Sequence, residues 1–98
     1  MGHIRTPSAD LDLDGIWYYI ATASGNIGVA DGFINSICDR FVLLASHPLL
    51  GRTREELRSG LGSFSMAEYL IIYRVHEGDV IILRVVPGNP DLFVQFAG

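Results

Sequence analysis

The sequence contains no lysine: all seven of its basic side chains are arginine, against eleven acids, for a formal charge of −4. Nucleic-acid binders usually carry a basic excess, because phosphate contacts supply most of their affinity. Sequence-specific nucleic-acid binding is therefore not expected. A single cysteine, Cys38, excludes an internal disulfide, and nothing in cysteine usage points outside the cytoplasm. No apolar run approaches the roughly 20 residues that a membrane helix needs, and Met1 to Arg5 lacks the apolar stretch of a signal peptide. Residues 1–3 read as an expression remnant. There is no internal repeat, no cluster with metal-ligand spacing and no nucleophile triad, and Gly60-Leu-Gly62 lacks the lysine and spacing of a P-loop. No cofactor, metal or catalytic residue is assigned.

What is present is apolar. Hydrophobic residues make up 49% of 98 residues, and mean hydropathy is positive. A chain this long forms one domain, residues 1–98, and buries about two thirds of its unfolded surface. Apolar surface beyond that core points to a protein partner. Charge is uneven: residues 1–50 hold two arginines against five aspartates, whereas residues 51–86 are balanced.

Tyr69-Leu-Ile-Ile-Tyr-Arg-Val75 and Val80-Ile-Ile-Leu-Arg-Val-Val86 are β-branched and aromatic, and His76-Glu-Gly-Asp79 interrupts them. That pattern predicts a hairpin. Both runs are nearly continuous, so these strands should be covered on at least part of both faces. Leu61 to Met66 reads as a preceding strand, and Pro87-Gly-Asn-Pro90 should end the sheet. With Glu77-Gly78 as a two-residue turn, Arg74 faces Ile81 and Arg84 faces Ile71, on opposite sides of the sheet; a bulge would reverse that parity.

Ahead of the strands, Ile4 to Pro7 reads as a short extended segment and Ser8 as a helix cap. Leu13, Ile16, Trp17 and Ile20 follow the spacing of one buried face, and this helix should end near Ser24-Gly25. Asn26 can cap a second helix whose stripe is Ile27, Ala30, Ile34, Ile37, Phe41 and Leu44, closed by His47-Pro48. Asp10, Asp12 and Asp14 suit the first turns of a helix. Residues 49–60 read as a polar connector. The expectation is α+β: a short N-terminal strand and an antiparallel helical hairpin packed on a small antiparallel sheet, in the order βααβββ.

This order and several local matches resemble the ParE/RelE toxin superfamily, its ParE-like branch most closely. The matching pieces are Asp10-Leu11, Ile16-Trp-Tyr-Tyr-Ile-Ala21, Leu44-Ala-Ser-His-Pro48, Gly51-Arg-Thr-Arg-Glu-Glu-Leu57, Gly60-Leu-Gly-Ser-Phe64, and the two apolar strands. The resemblance implies a toxin of a type II toxin–antitoxin pair, neutralised by a cognate antitoxin and acting on DNA gyrase. RelE-like members instead cut mRNA on the ribosome. ParE-like chains commonly carry an arginine where this chain has Gly62 and His-Gly-x-Arg-Asp where it has Pro87-Gly-Asn-Pro-Asp91. RNA cleavage needs a base, an acid and cations around the phosphorane. This chain has no lysine, no tyrosine after Tyr73 and no histidine after His76, so the implied activity is binding.

The candidate contacts for target or antitoxin are Arg52, Arg54, Arg58, Arg74 and Arg84 with Trp17, Tyr18 and Tyr19. Arg74 and Arg84 suit pairing with acids such as Glu68 or with antitoxin carboxylates, and Arg52, Arg54 and Arg58 form either a solvated connector or an anion contact. Three adjacent aromatics cannot all face one core, so Tyr18 or Tyr19 should look outward. An antitoxin helix across the hairpin and a strand at the sheet edge are the expected modes, with a homodimer or toxin–antitoxin hetero-oligomer as the assembly.

Overall fold

The computed structural model describes residues 2–53 and 60–88. Its elements are β1 (His3–Arg5), α1 (Pro7–Ser24), α2 (Ile27–Ser46), β2 (Arg52–Thr53), β3 (Leu61–Met66), β4 (Tyr69–His76) and β5 (Asp79–Pro87). All five strands form one sheet in the order β1-β5-β4-β3-β2. The helical hairpin covers one face, giving the expected α+β fold. Two features differ from the expectation. β1 runs parallel to β5, with His3 opposite Val80 and Arg5 opposite Ile82, so the sheet is mixed. Within the supposed connector, Arg52 and Thr53 pair with Ser63 and Gly62, adding a strand too short to show an alternating pattern. His3 belongs to the sheet, and its ring lies 5.7 Å from that of Phe41.

Local chemistry sets the helix ends. Thr6, not Ser8, caps α1: its backbone is extended, its side chain accepts from the Ala9 N–H, and Pro7 fills the first helical position, where no N–H is missed. The Thr6 hydroxyl also donates to the Leu83 carbonyl at 2.9 Å, tying the cap to β5. Gly25 closes the helix in the left-handed region, at φ 67. Asn26 caps α2 by accepting from Val29, and His47 stands at the end before Pro48. The β4–β5 turn is the two-residue Glu77-Gly78, both with positive φ, as a tight hairpin twist requires.

The main core lies between hairpin and sheet. Leu13 and Ile16 from α1 and Ile37, Phe41 and Leu44 from α2 pack on Ile71, Tyr73, Val80, Ile82 and Val85. Each large side chain so buried contributes about 1.5–3 kcal/mol. Ala30 is fully buried, and Trp17 and Ile20 are half-buried. Ile27 departs from its predicted stripe: at the hairpin tip, on the first residue of α2, it is exposed. Leu61, Leu70, Ile72 and Val86 form a second cluster. Alternation along β4 puts it on the face opposite Ile71 and Tyr73, which accounts for the continuous apolar runs.

Candidate interaction surface

The two sheet arginines have different fates. A register shift between Ile72 and Tyr73 sets Arg84 opposite Ile72 instead of Ile71, while Arg74 keeps Ile81. That reverses the parity expected of an unbroken hairpin. The Arg84 guanidinium reaches Asp12 of α1, with Nε 2.7 Å from Oδ2 and Nη2 2.9 Å from Oδ1, while the Val85 N–H donates to the same carboxylate at 2.9 Å. Hydrogen bonding to Asp12 raises the Arg84 pKa further, against a smaller lowering by burial. Arg84 is thus a bolt between α1 and β5, and among the described residues the acid it pairs with is Asp12 where Glu68 was expected. Asp12 was legible only as one of three carboxylates in the first turns, of which the structure puts Asp10 alone in the first turn of α1.

Arg74 and Arg52 are exposed and have no ion-pair partner among the described residues. Arg54 and Arg58 lie outside the described residues. Trp17 is half-buried, and its Nε1 donates to Asp31 Oδ1 at 2.8 Å, linking the two helices. Tyr18 and Tyr19 are 67% and 65% exposed, so both look outward. Together with Leu11, Ile27, Val29 and Val42 these are six of the large apolar side chains that the hairpin exposes. Ile27, Val29 and Val42 were missed as contact candidates because a helical stripe identifies what is buried and not which apolar residues are left outside it.

Two depressions lie among the described residues. One, of about 390 Å³, runs between α1 and the end of β5, lined by Leu11, Asp12, Gly15, Tyr19, Tyr69 and Pro87 among others. Tyr69 bridges it to α2, its ring 5.8 Å from Phe33. Burial raises the Tyr69 pKa, and Tyr19 and Glu68 raise it further. The other, of about 200 Å³, lies where Pro48, Leu49 and Gly51 cross Gly62, Tyr73 and Val75. There the Tyr73 hydroxyl donates to the Pro48 carbonyl at 2.9 Å and accepts from the Gly51 N–H at 3.1 Å, holding the chain that leads into β2. Cys38 is half-buried against the core, its Sγ 3.7 Å from Arg5 Nη1. Among the described residues no group of three His, Cys, Asp or Glu could hold a metal, and no helix is long and apolar enough to cross a membrane.

Burial raises the Tyr73 pKa, and the Gly51 hydrogen bond lowers it by less. The folded chain therefore favours the neutral phenol. Its contribution is complete below the unfolded value of about 10 and is lost as pH rises through the higher folded value. Melting temperature should fall on the alkaline side, and Tyr73→Phe should make that fall shallower; an identical alkaline limb in the variant would refute the assignment.

Residues 4–91 match the family described as ParE toxin of type II toxin–antitoxin system, parDE. The chain belongs to the ParE toxin family. It is 37% identical over 92 residues to Toxin ParE3 of Caulobacter vibrioides, spanning 94% of this chain and 91% of that protein. A solved structure described as the chromosomal ParDE TA system from P. aeruginosa shares the fold, with a TM-score of 0.78 at 22% identity over 91% of this chain and 97% of that one. As a ParE-type toxin of a type II system, it has an antitoxin as its expected counterpart.

Proposed function

We propose that this ParE-family chain arrests growth by binding DNA gyrase and stabilising its cleaved-DNA state, and that a cognate antitoxin neutralises it in the cytoplasm. Membership of the ParE family over residues 4–91 carries the reading. The exposed apolar side chains of the hairpin support a protein partner, since such an area is costly to leave in water. Arg52 and Arg74, exposed and without an ion-pair partner among the described residues, supply cationic contacts. The chain acts by binding, because the acid–base set that RNA cleavage demands has few candidates in a sequence without lysine.

The test is gyrase supercoiling and DNA cleavage with the purified chain, with and without antitoxin. Accumulation of cleaved DNA, suppressed by antitoxin, is expected. Unaffected gyrase together with ribosome-dependent cleavage of mRNA would replace this reading with the RelE-like one. Unaffected gyrase with no growth arrest on expression alone would mark a chain that keeps antitoxin binding and has lost toxicity.

A further inference from the structure

The sheet has a second apolar face, turned away from the helices. Both helices pack on the side of Ile71, Tyr73, Val80, Ile82 and Val85, whereas Leu61, Leu70, Ile72 and Val86 stand on the opposite side and are between 2% and 7% exposed. Among the described residues, every member of this cluster, with Leu83 packed against it, comes from β3, β4 or β5. Side chains on a bare sheet face keep their outer ends in water, so closure this complete needs a further layer.

Two stretches outside the described residues adjoin these strands, 54–59 ahead of β3 and 89–98 after β5. The first, Arg54-Glu-Glu-Leu-Arg-Ser59, is charged at four of its positions, with Leu57 as its apolar side chain; the second carries Leu92, Phe93, Val94 and Phe96. Composition favours the second. The family match ends at residue 91, so these four apolar side chains lie beyond the stretch that the family accounts for.

The way the chain leaves β5 favours the same segment. The Gly88 N–H donates to the Glu68 carbonyl at 2.7 Å, one step past the pairing of Pro87 with Tyr69. A Cβ on Gly88 would lie 3.7 Å from Leu70 Cγ, so the backbone departs beside a member of the cluster. Reach is ample: residues 89–98 extend up to about 33 Å, and crossing from β5 to β3 takes about 10 Å. A partner from solution must bring its own apolar segment, whereas a tethered one is held at an effective concentration of about millimolar.

We propose that residues 89–98 turn back over the second face of the sheet and close the cluster of Leu61, Leu70, Ile72 and Val86 within the same chain. That face is then interior. It is removed from the surfaces that a partner can use, apart from the margin where Arg74, opposite Leu61, and Arg52, opposite Ser63, are exposed.

The experiment is a double-mutant cycle in the full chain, with Leu70→Ala on one side and Phe93→Ser plus Phe96→Ser on the other. The tail pair alone should lower the melting temperature by about 5–10 °C, and Leu70→Ala should cost less in that background than in the wild type. Ile71→Val, on the hairpin side, should cost the same in both. A second measurement holds even where the tail pair fails to fold. In a Cys38→Ser background, Leu70→Cys combined in turn with Phe93→Cys and Phe96→Cys should give a disulfide within the monomer on mild oxidation, and Val29→Cys on the hairpin with the same partners should give none. Additive costs at Leu70 overturn the proposal, and so does the lack of a cross-link from both tail positions. Cross-links formed only between chains, with a melting temperature that falls on dilution, assign the face to a second copy and overturn it as well.

Discussion

Asp12→Ala should lower stability by about 2–3 kcal/mol, while Asp10→Ala and Asp14→Ala should each change it by less than about 0.5 kcal/mol. All three are carboxylates early in α1, and only the middle one is enclosed, with its side chain 15% exposed. It accepts two bonds from Arg84 and one from the Val85 N–H. Removing it leaves a guanidinium and a strand N–H without that acceptor, and charged hydrogen bonds are worth about 1.5–3 kcal/mol each. Arg84 is 39% exposed, so water recovers part of the loss. That is why the expected cost stays below the 3–5 kcal/mol typical of a fully buried pair. Asp12→Asn keeps an acceptor for Val85 and should lose roughly half as much. Urea denaturation of the three alanine variants decides the matter; equal midpoints would remove the bolt from the account of the fold.

The second large effect concerns Gly62, which stands where the ParE-like pattern commonly has arginine. Its neighbour is the Tyr73 ring: a Cβ at Gly62 would lie 2.8 Å from Cζ and 3.0 Å from the hydroxyl oxygen. Gly51 is tighter still, because a Cβ there would run into the Tyr73 hydroxyl and approach the Ser63 carbonyl. The two glycines make the berth for one tyrosine. Gly62→Arg should therefore destabilise by about 3 kcal/mol, combining overpacking of about 1–3 kcal/mol with loss of the bonds to Pro48 and Gly51, worth about 1 kcal/mol each. The same change in a Tyr73→Ala background should cost less, since the ring is gone, and a double-mutant cycle over the two sites should be strongly non-additive. A Gly62→Arg variant as stable as wild type would show that Tyr73 moves aside freely and that the connector into β2 is not held by it.

Much of the fold was legible because its signals are local. The stripe Leu13, Ile16, Ile37, Phe41 and Leu44 needs only a period of 3.6 to be read, and Asn26, Gly25 and His47-Pro48 mark helix ends by the conformations they favour. Ile27 misled because periodicity carries no information about where a helix outruns its cover. The site was less legible. Counting aromatics against one core required Tyr18 or Tyr19 to look outward, and both do. Trp17 and Arg84, read as candidate contacts and also as packing or acid-paired residues, have partners within the chain, and no spacing rule links Trp17 to Asp31 or Arg84 to Asp12.

By itself, then, the sequence determined the elements and their order, the two-sided burial of β4 and β5, and the family, since each depends on neighbours within a few positions or on a succession of short matches. Tertiary structure decided the parallel docking of β1, the added strand β2, the register shift and the Asp12–Arg84 bond between residues 72 positions apart. The physical reason is that a one-residue slip in a ladder turns a side chain to the other face without altering the composition of either strand. Whether an arginine is a free contact or an internal bolt depends on which element it meets across the fold, as Arg84 meets Asp12 of α1, and composition and periodicity do not encode that.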